Sequence, residues 1–373
     1  MNSSPSEITT SPLDSAAWST PPTSTLEGDP REVNLTAGNH SRDEPICFRI
    51  CGIPSGWNKG DLEEALRKIY PKLDSQSSQL SALFPACRES SQTALLTVYR
   101  RLEGYILPGL AKEIYHSFQA NGRGNDASLR FDKHFHDLTP INVPEGPISA
   151  DLIAITGLSG HAFGSWRSRV RIVGRPLDRP MWLRDFLPER FPQTRIMTYG
   201  YDSSLSEPTG YNLLDYARSF EQCIVNARDK CPGRPIIFIA HSLGGLLVNQ
   251  LLLTWVQCSS PALACVRGIF FFGTPHGGMR TKELSEMANR GILYKKIQTL
   301  LSQLEEGCEF LERQKESLCI MWNTRFAGNI FTFYETEKTK VVKEVEPGVW
   351  ERSGGLFQMV ERSSAQLFLR NEG

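Results

Sequence analysis

The sequence predicts an α/β chain: a mostly parallel, doubly wound sheet preceded by a small α+β layer. Three observations carry the prediction. From residue 151 onward, strand-like runs alternate with segments of helical spacing. The runs at 151–155, 236–239 and 268–272 are almost wholly apolar, as strands covered on both faces are. Residues 235–254, PIIFIAHSLGGLLVNQLLLT, pass from an apolar β-branched run through a serine and two glycines straight into a leucine-rich helix.

With 373 residues there is room for two domains, and Lys plus Arg (41) equals Asp plus Glu (41), so net charge gives no general attraction to nucleic acid or anionic membrane. The longest apolar region, 236–258, is broken by His241, Ser242, Asn249 and Gln250, and a strand-turn-helix explains it better than a membrane span. Nine scattered cysteines point to a reducing, intracellular compartment. Cys47 and Cys51 have no second Cys/His pair nearby, so no metal is expected, and no cofactor either.

Taken in order, residues 1–44 are Ser/Thr/Pro-rich and acidic, without the features of a secretory signal, and are expected to be a disordered tail. Strand-like 46–50, helical 61–70, strand-like 79–84 and 93–100, helical 107–118 and strand-like 128–135 give βαββαβ, a ferredoxin-like domain over 45–137. RNA-recognition domains share that order, but their third strand carries a glycine and spaced aromatics; TALLTVYR has one aromatic and no glycine. A structural or protein-docking role is expected instead, with no nucleic-acid partner. Three prolines and a glycine mark 138–150 as a linker. The domain over 151–373 then has strands at 151–155, 194–199, 236–239, 268–272, 329–334 and 357–360. Helices are expected at 182–186 and 214–228, with a helical cap over 280–318.

The turn AHSLGG is the chemical centre of this pattern. A serine between strand and helix is held in strained geometry, and the positions two before and two after it must be small; Ala240 and Gly244 are. Six ordered segments accompany it: DLIAITGLSGHAFGSW, MWLRDFLPERFP, RIMTYGYDSSL, RPIIFIAHSLGGLLVNQ, RGIFFFGTPHGG and IFTFYET. On these, residues 150–373 resemble the α/β-hydrolase superfamily, and more narrowly the serine-active-site-containing, lipase-like proteins abundant in fungi. KHFHDLTPIN resembles the lead-in of some members. The resemblance implies an ester hydrolase acting on an acyl, even phospholipid, ester. It also implies association with mitochondrial or endoplasmic-reticulum membranes; the broken apolar run at 236–258 gives no expectation of a transmembrane segment.

Serine chemistry needs an activated nucleophile, a base oriented by an acid, and oxyanion donors. Ser242 is the nucleophile by position, and the Leu158 and Leu243 amides are the donors. Glu335, ending IFTFYE, stands where the acid falls in the order nucleophile, acid, histidine, with Glu337 and Asp202 as alternatives. Asp202, His161 and His276 are expected to line the substrate or to hold the loops in which they stand. None of the seven histidines follows Glu335, and the chain ends where the resemblance places the histidine loop and a last helix. Two readings therefore stay open: a lipase- or esterase-type serine hydrolase, or a catalytically incomplete hydrolase fold used for binding or signalling.

Overall fold

The computed structural model describes residues 46–71, 73, 78–87, 90–98, 114–119, 126–168, 179–204, 209–282, 284–285, 292–326, 329–340, 343–346, 349–351 and 356–367. The tail expected over 1–44 lies outside them. The first sheet comprises β1 (Ile46–Pro54), β2 (Ser78–Leu80), β3 (Phe84–Pro85), β4 (Ser91–Val98), β5 (Ile114–Gln119) and β6 (Asp126–Asp132), with α1 (Lys59–Ile69) between β1 and β2. Its order is β2-β4-β1-β6-β5, with β3 also on β4, and every pairing is antiparallel. α1 starts where Asn58 accepts from the Gly60 and Asp61 amides at 2.7 and 3.2 Å, while Asp61 accepts from the Asn58 amide. Its apolar face sets Leu62, Leu66 and Tyr70 on Phe48, Ile50, Leu96 and Phe131.

One expectation fails here. The helix expected over 107–118 is, from residue 114, the edge strand β5, in register with β6 from Ile114 opposite Phe131 to Gln119 opposite Asp126; 107–113 lie outside the described residues. Ile114, Tyr115 and Phe118 favour strand, and the β6 ladder supplies partners that override helical spacing.

The second sheet contains β7 (Asp137–Pro140), β8 (Ala150–Ile155), β9 (Thr194–Gly200), β10 (Ile236–His241), β11 (Val266–Phe272) and β12 (Ile330–Phe333). They lie in the order β12-β11-β10-β8-β9-β7, parallel except for β7. This mixed α/β architecture is the one expected. Part of the expected linker is corrected: 138–140 belong to β7, because Pro140, lacking an N–H, is tolerated on an edge strand. Short α2 (Trp182–Asp185) and α3 (Leu187–Arg190) precede β9. α4 (Leu213–Ala227) and α5 (Leu243–Gln257) share the main core with Phe238, Ala240, Ile269 and Phe271, joined by α6 (Ile292–Leu304) and α7 (Glu309–Arg325). Beyond β12 lie β13 (Thr339–Lys340), β14 (Lys343–Glu346), β15 (Val349–Glu351), β16 (Leu356–Phe357) and α8 (Arg362–Ala365). The strand expected at 357–360 is reduced to β16, which pairs with β13 outside the large sheet.

The two sheets share a core. Cys47, Phe84 and Leu95, on the face of the first sheet away from α1, pack with Phe135, Leu152, Ala154, Phe163, Ile196 and Ile239. The face on which an RNA-recognition sheet stacks bases is thus occupied by the second sheet. Arg49 crosses the junction, pairing with Asp132 and donating to Thr139 Oγ1 at 2.7 Å. Burial would raise the Asp132 carboxyl, but the Arg49 charge and hydrogen bonds from Arg49, His134 and Phe135 outweigh it and hold it below the ordinary aspartate value.

At the opposite edge from the serine turn, the fully buried Asp151 collects three arginines. Arg195 Nε lies 2.7 Å and Arg234 Nη1 3.1 Å from Oδ1, and Arg228 pairs with Oδ2. These bonds tie the start of β8 to β9, to the end of α4 and to the approach to β10.

Candidate active site

Ser242 lies between β10 and α5 with φ 51° and ψ −125°, a region unfavourable for any residue with a side chain. Surrounding structure enforces it. The Ser242 amide donates to Phe272 O at 2.9 Å, and Gly245 N–H donates to Ser242 O at 2.9 Å. Close backbone approach explains the small residues. A Cβ on Gly244 would stand 2.6 Å from Thr156 O, one on Gly245 2.0 Å from Thr274 Oγ1, and one on Gly157 2.8 Å from Ser242 Cβ. Gly245→Ala is therefore expected to cost about 1–3 kcal/mol, read as a lowered urea midpoint with unchanged slope. Gly157→Ala is expected to force the Ser242 side chain or the loop after β8 to shift, read likewise as a lowered urea midpoint.

The loop after β8 is latched at several points. Thr156 Oγ1 donates to Ser165 Oγ at 2.9 Å, Tyr201 OH to Thr156 O at 3.0 Å, and the Ser159 amide reaches Ser203 O and Oγ at 3.2 and 3.0 Å. Leu158 is half-buried against the main core, and its amide has no acceptor among the described residues. Leu243 opens α5, where the first N–H groups lack intrahelical partners.

Glu335 is exposed just past β12. Its Cγ lies 3.9 Å from the Cβ position of Gly273, whose amide donates to Phe333 O at 2.7 Å. Gly273 directly follows Phe272, the residue that holds the Ser242 amide, so Glu335 stands at the same edge of the sheet, beside the tip of β11. Glu337 is likewise exposed. Asp202 is exposed after β9 and accepts from the Ser204 amide at 3.3 Å; its carbonyl accepts from Tyr216 OH at 2.7 Å.

His276 and His161 both make hydrogen bonds within the fold. His276 is only 2 % exposed, its Nδ1 accepts from Asn249 Nδ2 at 3.0 Å, and its ring meets Phe271 edge-on at 4.8 Å. Burial, with a smaller push from Lys315, drives its pKa down to about 3. An unfolded histidine takes its proton near the ordinary value of 6.5, so between there and about 3 the unfolded chain binds more protons. Stability from this site is complete above that window and drains as pH falls through it. His276→Gln is expected to flatten this part of the pH–stability curve in denaturant titrations.

His161 is also committed. Its Nε2 lies 2.6 Å from Lys133 O, and its Nδ1 accepts from the Phe163 and Gly164 amides at 3.1 and 2.9 Å. Burial draws its pKa below the ordinary value.

Sequence reasoning missed the part played by Asn249, whose signal was an amide within the apolar run of α5, and the latch of Thr156, Ser165, Tyr201 and Ser203, which has no sequence signature. It also missed the docking of α8: His276 N–H donates to Ser364 O at 3.1 Å, and Ser364 Oγ donates to Gly278 O at 2.6 Å. A cavity of about 650 Å³ lies between the loop after β11 and α6, lined by Met279, Lys282, Gln298, Leu301 and Glu305 among others; Ser242 is not part of its wall. Among the described residues no cluster of metal-ligating side chains occurs, and no helix is long and apolar enough to cross a membrane.

No family model matches the chain. It is similar to Protein SERAC1 of Homo sapiens, 33% identical over 156 residues, or 37% of this chain and 23% of that protein. Protein SERAC1 of Danio rerio is 31% identical over 170 residues, 41% of this chain and 25% of that protein. The chain thus matches about a quarter of the length of these curated relatives. Among solved structures, mature lipase BlEst2 of Bacillus licheniformis aligns with 48% of this chain and 64% of its own at 15% identity and TM-score 0.34. Phospholipase PlaB from Legionella pneumophila aligns with 50% of this chain and 37% of its own at 17% identity and TM-score 0.33.

Proposed function

We propose that the chain is a serine hydrolase of the α/β-hydrolase type that cleaves a carboxylic, lipid-class ester. One observation carries the reading: a serine forced to φ 51° between a parallel strand and a helix, where backbone approach tolerates only small neighbours. In the proposed reaction Ser242 Oγ attacks the ester carbonyl carbon, and the carbonyl electron pair moves onto oxygen. That oxyanion is received by the Leu158 and Leu243 amides. Collapse expels the alkoxide, which takes up through solvent the proton that Ser242 Oγ gave up on attack and leaves as the alcohol; water then cleaves the acyl-serine, releasing the carboxylic acid and restoring the Ser242 hydroxyl. Glu335 is the proposed acid. The first sheet, in the order β2-β4-β1-β6 with β5 beyond it, is read as a ferredoxin-like layer of structural purpose.

A second reading, a hydrolase-fold binding module without turnover, is supported by the burial of His276 and by the hydrogen bonds that hold both it and His161 within the fold. A fluorophosphonate probe, followed by a panel of acyl esters, separates the two. Stoichiometric capture at Ser242 with ester turnover supports the first; ester binding without capture supports the second.

A further inference from the structure

We propose that the first sheet acts as an internal clamp on the loop carrying Leu158, with His161 as the positioning residue through which it acts. The inference rests on the hydrolase reading and extends it to how the loop is held. The connection can be followed bond by bond. Arg49 on β1 pairs with Asp132 at the end of β6, and Asp132 Oδ1 accepts from the His134 and Phe135 amides at 2.7 and 3.2 Å. This closes a turn in which Phe135, fully buried, takes φ 57°. The turn lies against the carboxyl end of β9, because a Cβ on Gly200 would stand 2.1 Å from Phe135 O. From it, Lys133 O accepts the His161 Nε2 proton at 2.6 Å, and the Phe135 ring meets the His161 ring edge-on at 5.2 Å.

On the other side, His161 Nδ1 receives the Phe163 and Gly164 amides. The His161 amide itself donates to Ser165 Oγ at 3.0 Å, the same oxygen that accepts from Thr156. Two N–H donors on Nδ1 and a carbonyl on Nε2 admit only the neutral Nε2–H tautomer. The ring therefore joins two backbones: the end of the first sheet, and the loop that must present Leu158 to a developing charge. A misplacement of about 1 Å at such a donor can cost roughly a hundredfold in rate.

Asparagine and glutamine separate the two halves of this bridge. Asparagine places its acceptor near Nδ1 and preserves the local turn, but does not reach Lys133. Glutamine places its terminal amide near Nε2 and preserves the reach. His161→Asn is expected to slow fluorophosphonate acylation of Ser242 by about tenfold or more and to speed amide hydrogen exchange over 157–164. His161→Gln is expected to stay within about threefold of wild type on both measures. The reverse pattern, or equal behaviour of the two variants, overturns the clamp. If wild type is not acylated, the hydrolase reading falls, and exchange alone decides the clamp by the same criterion. If His161→Asn does not fold, nitrogen-15 NMR of the wild-type histidines decides: an Nε2–H tautomer at His161 supports the clamp, and an Nδ1–H tautomer overturns it.

Discussion

Ser242→Ala is expected to abolish fluorophosphonate capture and lower ester turnover by on the order of 10⁴-fold or more, while the protein still melts cooperatively. The size follows from the part the proposed reaction gives the hydroxyl: without it that reaction forms no acyl-enzyme and keeps only binding and the two proposed amide donors. The same position makes an opposite forecast for stability. Because φ 51° and ψ −125° are imposed on a residue with a Cβ, Ser242→Gly is expected to raise stability by about 1–2 kcal/mol, seen as a higher denaturant midpoint. Loss of capture together with a gain in stability is the signature of a strained functional residue. A serine serving only as a turn residue would show the gain alone, on a protein that never reacted with the probe.

The second large effect lies at the other end of β8. Asp151→Ala is expected to cost about 3–5 kcal/mol, because it leaves the buried Arg228 and its neighbours Arg195 and Arg234 without their common counter-charge. For a chain of this size that is roughly a 5 °C fall in melting temperature by calorimetry. A carboxylate contributing only its share of surface pairing would cost less than about 1 kcal/mol, and a fall that small would refute the account. Ser242 acylation, measured well below the new melting temperature, is expected to survive, since the cluster sits at the amino edge of the strands and the serine turn at the carboxyl edge.

Legibility from sequence divides along physical lines. β8, β10 and β11 could be read because a parallel strand covered on both faces must be apolar on both, and 236–239 or 268–272 admit little else. The serine turn was legible because its steric demand falls within a few residues of the serine, so Ala240, Gly244 and Gly245 advertise it. β5 was misread because residues 107–118 satisfy helical spacing while the partner that decides the matter, β6, comes later in the chain. β7 was hidden by prolines that mark a linker in isolation and an edge strand in context. The histidines were the hardest. Being at the carboxyl edge of a sheet says where His161 and His276 are, but whether a ring meets substrate, Asn249 or Lys133 O depends on partners scattered along the sequence.

The shared core also has a consequence for how the chain is made. β1, α1, β4 and β6 are all present once residue 132 has been synthesised, and α1 can cover its own face immediately. Cys47, Phe84 and Leu95, on the other face, find their fully buried partners among residues 135–239. Emerging from the ribosome, the first sheet is therefore half dressed until β10 follows it, an interval in which holdases and stray hydrophobic partners compete for that face. The Cys47 thiol, pushed up to about 11 by burial in the finished protein, is an ordinary oxidisable thiol for as long as the wait lasts.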